Sequence, residues 1–299
     1  MSVLAAVRAG TIRDLIVSSR PLSWVNTAYP FAAAYFLAAD RIDWHLILGT
    51  VFFLIPYNAA MYGTNDVFDY ESDLRNPRKG GVEGAVLDPS KHGTVLWLSW
   101  GSCGPIAAAL VAGGPPASWA VLAVSLFAVA AYSVPGLRFK ERPILDSVTS
   151  STHFVSPAVY GLAFAGWHPS ASGVAALGAF FVWGVASHAF GAVQDIVPDR
   201  NAGIASSATL FGARITVRLA LVCYLGAGAI LLAAGGEARW AGFLALPYAA
   251  NVAPYATADD AESGRTRAGW RRFLWLNYLT GFAVTLLLIA LQFGRESGR

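Results

Sequence analysis

The chain has 299 residues, of which 56% are hydrophobic and only 13% are charged, with a formal net charge of +3. Soluble globular domains carry about 25% charged residues, so this composition excludes an ordinary soluble protein. Apolar stretches of about 20 residues, long enough to cross a hydrocarbon core of about 30 Å, recur along the whole chain. We therefore predict one all-α membrane domain over residues 1–299, with membrane lipid and no nucleic acid among its partners.

The N-terminal segment mixes apolar residues with Arg8, Arg13 and Asp14 and shows no cleavage site. Residues 1–19 are therefore predicted to form an interfacial helix and not a cleaved signal. Nine apolar segments follow, separated by turns rich in glycine and proline. The predicted spans are residues 21–39, 44–65, 94–112, 116–135, 148–166, 172–194, 215–234, 239–257 and 273–293.

The basic residues are distributed unevenly between the loops. Nine spans place alternate loops on opposite sides of the membrane, and one side holds 17 of the 21 Lys and Arg residues. The loops on that side are 66–93, 136–147, 195–218 and 255–272, together with the N-terminal segment. The positive-inside rule predicts a multi-pass protein of the cell membrane, with this side and the N-terminus cytoplasmic and the C-terminus outside.

An acidic cluster ends the second predicted span. The sequence "NDVFDYESD" at 65–73 places four acids within eight residues. Asp66, Asp69 and Asp73 are spaced i, i+3 and i+7, so they share one face if the helix continues from the span. Like charges this close repel one another unless cations neutralise them. A run of this kind is by itself often only a solvated loop.

A second acidic cluster ends the sixth predicted span, in "HAFGAVQDIVPDRNAGI" at 188–204. Asp195 and Asp199 are spaced i, i+4, and Pro198 is expected to bend or end the helix there. Both clusters lie on the predicted cytoplasmic side. If they were only solvated loops, nothing would require them to share one side, so a common function is favoured. The clusters end the second and the sixth span, four spans apart, which predicts two four-helix units followed by a ninth helix. We therefore predict nine transmembrane helices in a bundle around a central cavity.

Carboxylate oxygens suit a hard cation such as Mg²⁺, which takes a few carboxylates, keeps water ligands and bridges to phosphates. Basic residues follow on the same predicted side: Arg78, Lys79, Arg138 and Lys140. The acids would bind metal and the basic residues would bind phosphate, and both lie at the mouth of an apolar bundle. This arrangement predicts a diphosphate ligand with a hydrocarbon tail.

At these residues the chain resembles the UbiA-type intramembrane prenyltransferases. Their hallmark is an Asn-Asp-x-x-Asp-x-x-x-Asp motif after the second of nine helices and another aspartate motif after the sixth. The residues that match the two motifs are Asn65, Asp66, Asp69 and Asp73, and Asp195 and Asp199. "SRPLSW" at 19–24 and the loop from Tyr132 to Lys140 are also similar to the family. Within it, the two acidic stretches look most similar to the lycopene elongase branch.

The resemblance implies a Mg²⁺-dependent transfer of an allylic group, dimethylallyl in this branch, from its diphosphate to lycopene. It assigns the catalytic metal ligands to Asp66, Asp69, Asp195 and Asp199, with Asn65 and Asp73 in support. The expected diphosphate-binding residues are Arg78, Lys79, Arg138, Lys140 and Tyr132.

Three further polar residues lie at membrane depth and are assigned to the acceptor cavity: Asn58, His153 and His188. A packing role for Asn58 and a hydrogen-bonded structural role for His188 remain open.

Other acceptors stay open too, namely an aromatic ring, as in quinone synthesis, and a glycerol-lipid hydroxyl. An alternative of another class is a cation-coupled transporter, for which ionisable residues are expected near the middle of spans and not at their ends.

Overall fold

The computed structural model describes residues 12–74 and 85–297, and this part of the chain is helical with no strand. The all-α prediction is confirmed. The chain divides into two compact units, the first made of Met1–Lys140 and Thr152–Trp167, the second of Glu141–Ser151 and His168–Arg299. The units correspond to the two predicted four-helix halves, except that most of the fifth predicted span belongs to the first unit.

The first unit begins, within the described residues, with a helical segment at 12–18, the described part of the predicted interfacial helix. Its helices are α1 (Val25–Ala39), α2 (Trp44–Leu54), α3 (Pro56–Phe68), α4 (Tyr70–Asp73), α5 (His92–Gly113) and α6 (Pro116–Ser133), with 3₁₀ turns at Pro21–Ser23 and Pro89–Lys91. A 3₁₀ turn at Phe139–Glu141 leads to α7 (Leu145–Phe164), whose first turns belong to the second unit.

The second predicted span, 44–65, is two helices and not one. The helix breaks at Ile55 because Pro56 has no backbone N–H to donate. The side chains of Thr27 and Asn58 each donate a hydrogen bond of 2.7 Å to the carbonyl of Phe53 at this break. The amide of Asn58 therefore satisfies backbone freed by the proline, which is the packing role that the sequence left open for this residue.

Aromatic rings fill the core of the first unit. Phe31 lies 5.2 Å from Phe53 between ring centroids, and Phe53 lies 5.6 Å from Tyr160 of α7. A Cβ at Gly161 would lie 2.8 Å from the carbonyl oxygen of Phe31, so only glycine allows α7 to approach α1 this closely. No local pattern in the sequence indicates this contact, which explains why the fifth predicted span was assigned to the second half.

The second unit contains the first turns of α7 and the remaining helices. These are α8 (Ala171–Val193), α9 (Ile196–Asn201), α10 (Ser207–Ala234), α11 (Ala245–Val252) and α12 (Arg267–Ser297), with 3₁₀ segments at Glu237–Leu244, Ala253–Tyr255 and Ser263–Thr266. α8 packs along α10, and stacked rings of Tyr224 and Tyr248, 5.4 Å apart between centroids, lie in the core.

Six helical segments of the described residues are long and apolar enough to cross a membrane: Trp44–Phe68, Pro89–Gly113, Pro116–Ser133, Ala171–Val193, Ser207–Ala234 and Ser263–Gln292. Large apolar side chains face outward on them, with Trp97 73% exposed, Val222 65% and Phe282 63%. This outward apolar surface is that of a multi-pass membrane protein.

The predicted count of nine spans is not confirmed. Helix lies in all nine predicted segments, but three fall short of a full apolar span. α1 has only 15 residues, α7 begins with the polar sequence "LDSVTSSTH", and the segment around α11 is divided into three short helical pieces.

Candidate active site

The three aspartates of the first cluster are buried in the first unit, at the end of α3 and in α4. Asp66 is fully buried, and Asp69 and Asp73 are 7% and 5% exposed. The prediction of one continuous helical face was wrong, because α3 ends at Phe68 and α4 begins at Tyr70. Asp69 is the residue between the two helices. Carboxylates are rarely this buried without cationic partners or a metal.

Asp66 is held by three donors from distant parts of the chain. The guanidinium Nη2 of Arg20 donates to its Oδ1 at 3.0 Å, and the hydroxyl of Ser18 donates to its Oδ2 at 3.0 Å. The backbone N–H of Ala85 also donates to Oδ2 at 3.0 Å. Both carboxylate oxygens of the predicted metal ligand therefore accept hydrogen bonds, one of them from a cation.

Asp69 forms ion pairs with two of the predicted diphosphate-binding residues. The ammonium of Lys140 contacts Asp69 Oδ1, and the Nη2 of Arg138 lies 3.6 Å from the same oxygen. Arg138 also donates a hydrogen bond of 3.3 Å to the carbonyl of Phe68. The structure thus brings Lys140 and Arg138 to the first acidic cluster.

Two other predicted residues lie near the same helix ends. The side-chain carbonyl of Asn65 accepts a hydrogen bond of 3.1 Å from Ser133 at the end of α6. The ring of Tyr132 meets the ring of His153 edge-on at 5.2 Å. Arg78 and Lys79 lie outside the described residues, so their predicted contacts stay predictions.

Arg20 is a site residue that the sequence analysis did not assign, because it was noted only as part of "SRPLSW" and among the basic residues that predict topology. It adopts a left-handed backbone conformation, with φ 54° and ψ 71°, directly before Pro21. Positive φ at a non-glycine residue costs on the order of 1–2 kcal/mol, so the surrounding contacts must hold it. Burial alone would lower the pKa of Arg20, but the nearby Asp66 carboxylate raises that pKa above its ordinary value. The guanidinium therefore stays charged.

The second cluster lies at the junction of α8 and α9 in the second unit. Gln194 and Asp195 separate the two helices, and the backbone N–H of Asp199 donates to the carbonyl of Asp195 at 2.8 Å. The carbonyl of Asp199 accepts from Ile204 at 2.9 Å, which closes the loop after α9. Both aspartates are half-buried.

The two clusters have the same local backbone geometry. Asp69 has φ −100° and ψ 0°, and Asp195 has φ −99° and ψ −1°. Each is the residue directly before a short helix that follows a longer one, and each is followed four residues later by another aspartate. This bridge region of backbone conformation is sparsely populated and common at functional sites. The correspondence supports the predicted duplication and pairs Asp69 with Asp195.

Next to the second cluster, Arg200 pairs with Asp260 at 2.6 Å. The N–H of Ala213, just after the kink in α10 at Gly212, donates to the other oxygen of Asp260 at 2.6 Å. These two hydrogen bonds, that of Ala213 first, lower the pKa of Asp260. Arg200 is thus engaged by a carboxylate that belongs to neither aspartate motif.

His188, which was assigned to the acceptor cavity, lies in a polar network of the second unit. Its Nδ1 is 3.1 Å from the hydroxyl of Ser147. The neighbouring Asp146 is fully buried and accepts hydrogen bonds from Ser207 at the start of α10, 2.7 Å from the backbone N–H and 2.6 Å from the hydroxyl. The sequence did not single out Asp146, because its partner lies 61 residues away.

The donor chemistry of the acidic clusters fits Mg²⁺. Their side chains offer carboxylate oxygens, the ligands that Mg²⁺ prefers, and the first cluster is buried beside cations that could contact phosphate. Among residues 12–74 and 85–297, no three His, Cys, Asp or Glu side chains already converge as a metal-binding group. In the first unit the carboxylates of Asp66 and Asp69 face basic side chains instead.

A helical membrane protein with two aspartate clusters at helix junctions, one of them paired with basic residues, has the features of an enzyme that handles phosphate esters in a bilayer. The UbiA prenyltransferase family matches residues 27–279. The chain belongs to this family.

Similar proteins agree with this assignment. The lycopene elongase/hydratase of Corynebacterium glutamicum is 53% identical over 281 residues, which cover 94% of this chain and 98% of that protein. The C(50) beta-cyclic carotenoids biosynthesis protein LbtBC of Dietzia sp. is 55% identical, over 94% of this chain and 65% of that protein. A solved UbiA homologue from Archaeoglobus fulgidus, bound to DMAPP and Mg²⁺, has a TM-score of 0.66 at 17% identity and covers 91% of this chain and 98% of that one.

We predict that Asp146 stabilises the second unit through its hydrogen bonds with Ser207. Asp146→Ala leaves the N–H and hydroxyl of Ser207 without their acceptor, so we expect a loss of about 2–3 kcal/mol and a clearly lower melting temperature in detergent. Asp146→Asn, which keeps one acceptor oxygen, should lose less. A melting temperature of the alanine variant equal to that of the wild type would contradict this role.

Proposed function

We propose that this prenyltransferase uses Mg²⁺ to transfer a dimethylallyl group from its diphosphate to lycopene, in the synthesis of long acyclic carotenoids. The observation that carries the chemistry is the first cluster, where buried aspartates lie against Arg20, Arg138 and Lys140. The choice of acceptor rests on the 53% identity, over nearly the full length of both chains, to a lycopene elongase/hydratase. The donor and the metal are supported by the Archaeoglobus fulgidus homologue, which binds DMAPP and Mg²⁺.

In this proposal the aspartates Asp66, Asp69, Asp195 and Asp199 hold the metal, and Asn65 and Asp73 support them. Bound Mg²⁺ supplies Lewis-acid stabilisation of the negative charge on the diphosphate. Lys140 and Arg138, which now contact Asp69, donate hydrogen bonds to the diphosphate oxygens as charge develops there. Tyr132, Arg78 and Lys79 remain proposed diphosphate contacts.

The reaction breaks the bond between the allylic carbon and the diphosphate oxygen, and the electron pair of that bond leaves with the diphosphate. A terminal double bond of lycopene then forms the new carbon–carbon bond with the allylic cation, which moves the positive charge to the carotenoid. Loss of a proton or addition of water with loss of a proton ends the reaction. The name of the Corynebacterium relative, which includes hydratase, supports water addition. His153 and His188 remain proposed residues of the acceptor cavity, whereas the amide of Asn58 is engaged by the carbonyl of Phe53.

The metal assignment predicts loss of transfer when a motif aspartate is removed. Asp66→Ala, Asp69→Ala, Asp195→Ala and Asp199→Ala should each reduce prenyl transfer at least about 100-fold, because each removes a charged ligand at the reacting diphosphate. Released diphosphate and prenylated product are measured in detergent with and without Mg²⁺.

Asp88→Asn is the matched control for these variants. Asp88 is an exposed aspartate whose side chain caps the turn at Pro89–Lys91, a contact that asparagine retains. The control should keep wild-type activity. Wild-type transfer in any two of the four motif variants would contradict the metal assignment.

The acceptor is tested by feeding purified enzyme with dimethylallyl diphosphate, Mg²⁺ and one acceptor at a time. We expect lycopene to gain one or two five-carbon units, with or without water, as read by mass spectrometry. A hydroxybenzoic acid and a glycerol-phosphate lipid should remain unchanged. Prenylation of either of these and not of lycopene would leave the enzyme a prenyltransferase but contradict the carotenoid proposal. Ion transport without any diphosphate release would favour the transporter alternative.

We propose a cytoplasmic N-terminus and an extracytoplasmic C-terminus, on the basis of the distribution of Lys and Arg. A reporter inserted in loop 255–272 should then be active on the cytoplasmic side, and a reporter fused after residue 299 should be active outside. If both reporters are active on the same side, α12 does not cross the membrane and this topology is wrong.

A further inference from the structure

The guanidinium of Arg20 occupies a carboxylate that the proposed function assigns to the metal. Its Nη2 lies 3.0 Å from Asp66 Oδ1, and its side chain is only 19% exposed. Asp66 itself is fully buried. Mg²⁺ bound to Asp66 would lie within a few ångströms of this guanidinium, and a divalent cation and a guanidinium that close repel each other strongly in a site of low dielectric. Arg20 and Mg²⁺ are therefore competitors for Asp66.

Arg20 also has donor capacity to spare. The guanidinium carries five N–H donors, and its Nε is buried without a hydrogen-bond partner among the described residues. The ring of Tyr62 lies against the guanidinium, 4.4 Å from Cζ to the ring centroid. A buried donor without an acceptor is unfavourable unless a ligand completes it. The planar fork of arginine matches the oxygens of a phosphate group.

The backbone conformation of Arg20 is unfavourable for arginine, and the contacts of its side chain compensate for it. Its positive φ before Pro21 is a conformation that arginine rarely adopts, and it directs the side chain to the end of α3. Ser18, two residues earlier, donates to the other oxygen of Asp66. The N-terminal segment thus contributes both a charged and a neutral donor to the same carboxylate.

We infer that Arg20 is a displaceable counter-cation of the metal site. It neutralises Asp66 until a divalent cation takes that carboxylate, and the released guanidinium then donates to the diphosphate. This inference rests on the proposed function. Its consequence is coupled binding: metal alone must displace Arg20 and binds weakly, whereas metal and diphosphate together satisfy Asp66 and Arg20 at once.

Coupling of this kind gives two opposite effects in Arg20→Gln. Without diphosphate, Mn²⁺ used as the probe metal should bind about fivefold more tightly than to the wild type, because its competitor is gone. At saturating Mn²⁺, a non-reactive allylic thiolodiphosphate should bind at least about tenfold more weakly, because a charged donor is lost. Mn²⁺ binding is read by electron paramagnetic resonance and diphosphate binding by calorimetry, on purified protein in detergent.

Lys91→Gln is the matched control, since it removes one positive charge from the same unit. Lys91 pairs with Asp14 at 2.5 Å and contacts neither acidic cluster among the described residues. Both affinities should stay within about twofold of the wild type, because the pair is partly exposed and its charges are screened by salt. The same tightening of Mn²⁺ in this control would show a general charge effect and overturn the inference, as would weaker Mn²⁺ binding in Arg20→Gln.

Arg20→Lys decides the question if Arg20→Gln is not recovered as folded protein. It keeps the positive charge but replaces the fork by one ammonium. Mn²⁺ affinity should remain within about twofold, and thiolodiphosphate affinity should fall at least about fivefold. Unchanged diphosphate affinity overturns the inference. Failure of the wild type to bind Mn²⁺ even with the thiolodiphosphate present would instead contradict the proposed function itself.

Discussion

Neutralisation of buried carboxylates is the constraint on which the first unit depends. Asp66 is fully buried and Asp69 nearly so, and an isolated ionised carboxylate in such a place is too unfavourable to persist. Arg20, Arg138 and Lys140 provide the opposite charges. They come from the segment before α1 and the loop after α6, so charge pairing fixes both to the end of α3. The same arrangement suits a site in which metal replaces these basic side chains at the carboxylates and the basic side chains then bind phosphate.

The two halves of the chain repeat the helix junction but not its charge. Asp69 and Asp195 share one backbone conformation, and each is followed by an aspartate four residues later. The residue three positions before the junction is Asp66 in the first half but Ala192 in the second. The extra carboxylate is the one that Arg20 neutralises, and the two clusters are therefore not equivalent. The proposed exchange of cations belongs to the first cluster alone.

Local patterns predicted the helices and both clusters, because hydropathy and acid spacing act over neighbouring residues. The missing backbone N–H of Pro56 also explains the break before this residue, although one helix was predicted over 44–65. The contacts that no local pattern encodes are those between distant segments. Arg20 meets Asp66 across 46 residues, and the hydroxyl of Ser207 meets Asp146 across 61. The close approach of Gly161 to Phe31 likewise arises only when α1 and α7 pack together.

We propose that the aspartate clusters bind the metal that activates the diphosphate. The most direct test of this proposal is an experimental structure of the enzyme with Mn²⁺ and a non-reactive allylic diphosphate, with Mn²⁺ located by anomalous scattering. We predict Mn²⁺ coordinated by carboxylate oxygens of Asp66 and Asp69 and of Asp195 and Asp199, with Arg20 and Lys140 on the diphosphate. Mn²⁺ bound elsewhere, with Arg20 still on Asp66 and Lys140 still on Asp69, would contradict the proposal.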